Sequence, residues 1–129
     1  MTIHADVKSF LARWAAAGRA RDASASADLY LRDPAPLVVF SDGARTDDWL
    51  DVKVRLDKDF ARSHIDHVDV HDVDVRDLGD NVLVVSFAYD MSARDAWGLS
   101  GSTARRATMT LIRTKEGLRI AAAHFARSE

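Results

Sequence analysis

The stretch Thr103-Ala-Arg-Arg-Ala-Thr-Met-Thr-Leu-Ile-Arg-Thr-Lys-Glu-Gly-Leu-Arg-Ile-Ala-Ala-Ala-His-Phe-Ala-Arg127 decides how this chain folds. Its first arm, Thr103 to Thr114, is rich in threonine and aliphatic residues and has no proline or internal glycine, a composition that favours a strand. Lys115-Glu116-Gly117 reads as a turn. The second arm then alternates: on a regular strand Leu118, Ile120, Ala122 and His124 share one face, and Arg119, Ala121, Ala123 and Phe125 the other. The pattern predicts a β-hairpin that carries His124 deep into whatever concavity the sheet forms. Arg105 and Arg106 point to opposite faces of the first arm, so one of them faces inward or lies at an edge. An inward arginine needs a carboxylate partner or an anionic ligand.

Working back from the hairpin, Leu83, Val85, Phe87, Tyr89 and Met91 line one face of another strand. Val82, Val84 and Ala88 make its second face partly apolar, which suits a central position in a sheet. Ser92 to Ser102, with Trp97-Gly98 and Gly101, reads as a mobile connection. Leu78-Gly79-Asp80-Asn81 is a hairpin turn. The strand before it, from Ile65 to Asp77, changes phase: Val68 and Val70 are even-numbered, Val73 and Val75 odd. A β-bulge at His71-Asp72 returns both pairs to one side and bends the strand, so the sheet is expected to curve strongly.

Three helices precede these strands. Ile3, Val7, Phe10, Leu11 and Trp14 recur at helical spacing between Thr2 and Ala17, with a stop at Gly18. A second helix starts with Asp22 as N-cap and runs through Ala23, Ala27, Tyr30 and Leu31 until Asp33-Pro34-Ala35-Pro36 ends it. Leu37 to Phe40 is a short strand, and Ser41-Asp42-Gly43 a turn. Thr46 is the expected N-cap of a third helix, whose apolar face is Trp49, Val52, Leu56 and Phe60 and which ends near Arg62.

The 129 residues fit one domain, residues 1–129, and 47% hydrophobic with 29% charged residues is a globular composition. A net charge of -2 gives no footprint for nucleic acid or an anionic membrane surface. The chain has no cysteine, which removes disulfides and thiolate chemistry. Its start, Met1-Thr-Ile-His4, lacks the basic and apolar regions of a signal peptide, so the expected location is cytoplasmic.

Helices, a short strand, a helix and then a curved antiparallel meander closed by a glycine-turned hairpin with a late histidine: this order resembles the nuclear transport factor 2-like superfamily. Within it the chain is most similar to the SnoaL-like polyketide cyclase and ketosteroid isomerase branch. The stretches that carry the likeness are Leu37-Val-Val-Phe-Ser-Asp-Gly43, Arg113-Thr-Lys-Glu-Gly-Leu-Arg-Ile120 and Ala123-His-Phe-Ala-Arg-Ser128. The resemblance implies an α+β fold of cystatin-like topology, a cone in which N-terminal helices pack on a strongly curved antiparallel sheet. It also implies an apolar pocket at the wide end and a homodimer formed through the outer sheet face.

Candidate chemistry follows from both readings. His124, with an ordinary pKa near about 6.5, suits acid or base work near neutrality. Tyr30 offers a hydrogen bond to a ligand oxygen. Asp90 is the carboxylate at the end of the central strand, although its parity opposes Phe87 and Tyr89. Trp14, Phe40, Trp49, Phe60, Phe87, Tyr89 and Trp97 are the candidate pocket lining, weighed against plain core packing. The run His64, Asp66, His67, Asp69, His71, Asp72 and Asp74 is better read as a solvated or dimer-facing surface than as a metal site, because same-face residues such as His67 and His71 are about 13 Å apart on an extended strand. No phosphate loop, nucleophile elbow or metal-binding helix motif is present, and no cofactor is expected. The expected function is binding of a small apolar or carbonyl-bearing molecule, or cofactor-free acid-base catalysis of the isomerase, cyclase or hydratase type. The alternative is a non-catalytic association module built on the sheet.

Overall fold

The computed structural model describes residues 3–95 and 97–127, and leaves Met1, Thr2, the side chain of Ile3, Ala96, Ser128 and Glu129 outside the description. Helix α1 spans Ile3–Arg19. Its Val7, Phe10, Leu11 and Ala15 are buried and Trp14 half-buried, the apolar stripe that the helical spacing predicts. Helix α2 is only Ala23–Ala27, with the Asp22 carboxylate accepting from the Ala25 amide as its N-cap. It ends earlier than its sequence suggests because the chain turns into the sheet: Leu31 donates to the Ile120 carbonyl, and the Ile120 amide donates to Leu29. Those bonds replace a further helical turn.

Strand β1, Leu37–Val39, runs parallel to the last strand. Helix α3 is Trp49–Arg62, and its N-cap is Asp48, whose carboxylate accepts from the Asp51 amide. The expected cap, Thr46, is instead buried beside β1, its hydroxyl accepting from the Val38 amide at 3.2 Å and its own amide donating to the Val38 carbonyl at 3.0 Å. A threonine with a backbone partner on each side fixes where the loop leaves the strand, and capping passes to the next suitable side chain.

Strands β2 (Ser63–Gly79), β3 (Val82–Asp95), β4 (Ser100–Thr114) and β5 (Gly117–Arg127) complete a sheet of order β1-β5-β4-β3-β2. All neighbours but β1 and β5 are antiparallel. The β2–β3 turn is Asp80-Asn81, both at positive φ (52° and 68°), which matches the twist of a two-residue hairpin. Ser92 to Ser102 is largely strand rather than connection, since β3 and β4 stay paired out to Arg94 and Ser100. That leaves Trp97 exposed at the hairpin tip.

Curvature comes from bulges. His71 pairs with Ala88 and Asp74 with Ser86, so β2 holds one extra residue there, and Asp72 takes a positive φ of 53°. A second bulge lies between Ile65 and His67, opposite Ala93 and Ser92. Together they bring Ile65, Val68, Val70 and Val75 to the face that packs on the core, while Val73 inside the bulge stays 43% exposed. Strand β5 bulges too, with Thr110 paired to Ala122 and Leu111 to Ile120, which leaves Ala121 extra. The result is an α+β cone: helices on the concave face of a curved, unclosed sheet, and a core of Phe10, Phe87, Met109, Leu111 and Ile120 between them.

Candidate functional site

The bulge in β5 moves the leading candidate. Leu118 and Ile120 point into the core, and beyond Ala121 the inward positions are Ala123 and Phe125. His124 therefore stands exposed on the outer face, contrary to its expected phase with Leu118 and Ile120. Asp90 lies on that outer face as well, with its carboxylate 3.0 Å from Nε2 of His71, whose Nδ1 is 3.1 Å from Asp72. The hydrogen bond with Asp72, then that with Asp90, raises the His71 imidazole above its ordinary pKa.

On the concave side, a cavity of about 460 Å³ opens between helices and sheet. Trp14, Ala15 and Gly18 from α1 form one wall, with Leu56 and Phe60 of α3 beside them. Ile65, Val68 and Met91 form the sheet wall, and Phe40 and Phe125 close the end near β1. The aromatic rings brace one another: Trp14 meets Tyr89 edge-on at 5.1 Å and stacks on Phe125 at 6.2 Å, and Phe125 stacks on Phe40 at 6.0 Å. Four of the expected lining aromatics, Trp14, Phe40, Phe60 and Tyr89, do face the cavity. Three do not. Phe87 is fully buried in the core, Trp97 is 88% exposed, and Trp49 donates its indole N–H to the Ala27 carbonyl at 2.8 Å with the Arg32 guanidinium over its ring. Two surface hollows of about 490 and 710 Å³ are bordered by charged side chains such as Asp33, Glu116 and Asp57 and lack an apolar enclosure.

The polar groups of the cavity are unevenly placed. Tyr30 is buried, and burial followed by the neighbouring Tyr89 phenol raises its pKa far above the usual tyrosine value. Tyr30 lines both this cavity and the neighbouring hollow beside Leu31 and Arg32. Tyr89 is raised too, by burial, against which the Arg105 guanidinium pulls it down. Arg105 continues the inward series Ala107, Met109 and Leu111 of β4 and sits opposite Tyr89 across the strand pair. Its Nε donates to Thr103 Oγ1 at 3.2 Å and its Nη1 to Ser41 Oγ at 3.0 Å. At the rim, Arg55 lies 4.3 Å over the Phe40 ring and bridges Asp42 at 3.0 Å and Asp59 at 2.8 Å. The Ala44 amide and then Arg55 hold the Asp42 carboxyl below its ordinary pKa.

With this geometry in view, comparison with known proteins places the chain. The SnoaL-like domain family matches residues 7–126. The chain belongs to that family. No curated protein sequence matches it. Among solved structures, a ketosteroid isomerase-like protein from Erwinia carotovora superposes with a TM-score of 0.83 at 12% identity, covering 97% of this chain and 95% of that one. An NTF2-like protein from Rhodospirillum rubrum gives 0.80 at 20% identity, covering 96% and 99%. A nuclear transport factor 2-like superfamily protein from Salmonella enterica gives 0.81 at 14%, covering 95% and 89%. At these identities the likeness is one of fold, and a SnoaL-like fold alone does not name a ligand.

Proposed function

We propose that this SnoaL-like chain binds a small, largely apolar molecule bearing an oxygen function, held in the cavity between helices and sheet. The observation that carries this reading is the combination of an aromatic-walled space of about 460 Å³ with two tyrosines, Tyr30 and Tyr89, on its lining. Ligand cavities of about 300 to 1,000 Å³ with apolar walls and a few placed polar groups are the common form of small-molecule sites. A tyrosine is protonated through the neutral range, and burial raises the pKa of Tyr30 and Tyr89 further, so both phenols are available as hydrogen-bond donors suited to a carbonyl or oxyanion.

Proton abstraction fits the cavity less well. No imidazole among the described residues lines it, and its two carboxylates, Asp42 and Asp59, are both engaged by Arg55. Binding and polarisation of a ligand oxygen is thus favoured over the acid-base role expected for His124. A pure association module gives no reason for an aromatic-walled cavity of this size. Nile red, a neutral apolar dye that brightens when it leaves water, tests the reading. Its emission is expected to rise with the native protein and to fall back with Ile65→Trp, which fills the sheet wall, while the variant keeps a cooperative thermal melt. Equal brightening with both proteins would place the dye elsewhere and overturn the reading.

A further inference from the structure

Arg105 is the group in this cavity that the binding of a neutral molecule leaves unexplained. It is half-buried, it faces inward, and its hydrogen-bond partners, Thr103, Ser41 and Tyr89, are all neutral hydroxyls. Among the described residues no carboxylate lies within ion-pair distance of it. Arg127 stands directly opposite on β5 and also borders the cavity. Like charges paired across adjacent strands repel, although Arg127 itself is exposed. With Arg55 and Arg62 the lining has four guanidinium groups against the two carboxylates of Asp42 and Asp59, in a chain whose net charge is -2. Both of those carboxylates already belong to Arg55, and Asp59 also to Arg62. Among the described residues, the positive charge of the lining without a carboxylate partner is that of Arg105 and Arg127.

We infer that the ligand of this cavity is an amphipathic carboxylate, its carboxylate held by Arg105 with Arg127 beside it and its apolar body against Trp14, Phe40 and Phe125. This rests on the small-molecule reading above and adds the charge of the ligand to it. Thr103 and Ser41 hold the guanidinium through Nε and Nη1, and the planar, five-donor group suits an arginine–carboxylate pair. The Tyr89 phenol, opposite Arg105, supplies a neighbouring donor.

The test compares naphthoate with naphthamide, which share an aromatic body and differ in charge, using quenching of tryptophan fluorescence, since Trp14 lines the cavity. Naphthoate is expected to bind roughly tenfold or more tightly than naphthamide, the scale of a charge-assisted pair. Arg105→Gln removes that preference, Arg105→Lys retains part of it, and Arg127→Gln lowers it less than Arg105→Gln does. Thermal melts of all three variants confirm that they fold. Equal binding of the two probes to the native protein, or a preference that survives Arg105→Gln, overturns the inference while the small-molecule reading stands. If neither probe binds but Nile red does, the inference again falls alone; if none of the three binds, both fall.

Discussion

A phenol held away from water loses its proton with difficulty, so Tyr30 links the cavity to pH in a direction that can be worked out. In the unfolded chain a tyrosine ionises near about pH 10; in the fold, burial and the Tyr89 phenol push Tyr30 above that. Below pH 10 both states keep the proton and no stability difference arises. Above it the unfolded chain releases a proton that the fold retains, so stability falls as pH rises, by up to ~1.4 kcal/mol per pH unit. Urea unfolding from about pH 9 to about pH 11 is expected to show this loss, and Tyr30→Phe to flatten it; matching losses in both proteins would mean that the phenol is not buried. Single residues were unequally legible. The alternation of β4 marks Arg105 and Arg106 as a pair of which one faces inward, and the unbroken register of β4 on β3 makes that one Arg105. His124 could not be marked in this way, because its face depends on an extra residue three positions earlier.

Elements show why one bulge was readable and another was not. In β2 the shift falls between valines, whose wish to be buried marks the phase on either side; in β5 it falls within Ala121-Ala122-Ala123, where small side chains favour neither face. The usable signal was Phe125, out of phase with Leu118 and Ile120. The β2 bulge also makes a prediction about deletions. Removing Asp72 takes out the extra residue and leaves Val70 and Val75 in phase on a straighter strand, relieving a positive φ that a non-glycine residue holds at a cost of roughly 1–2 kcal/mol. Removing Ser86 from the regular strand β3 throws either Val85 or Phe87 with its neighbours to the wrong face, and each large apolar side chain turned outward costs roughly 1.5–3 kcal/mol. The Asp72 deletion is expected to melt cooperatively and the Ser86 deletion to be unfolded; two equally damaged proteins in thermal melts would show that the bulge does not set the register.

At the scale of the molecule, the cone was legible because its causes are repeated: three apolar helical faces, a long central strand and a bulged neighbour all require a sheet that bends around helices. The content of the cone was less so. Periodicity says which aromatics point inward, and does not separate Phe87, packed in the core, from Tyr89, two residues further along the same face at the cavity. Depth along the cone axis is set by where α1 and α3 cross the sheet, and no local pattern encodes that. The account stands on the cavity being the place where a ligand sits, and the methionines report on it directly. Met91 lines the cavity, whereas Met109 is fully buried in the core. In a titration with naphthoate followed by NMR of labelled methionine methyl groups, Met91 is expected to shift through the ring current of the bound probe while Met109 stays in place. A still Met91 beside a moving His124 ring signal would put the ligand on the outer face of the sheet and contradict the account.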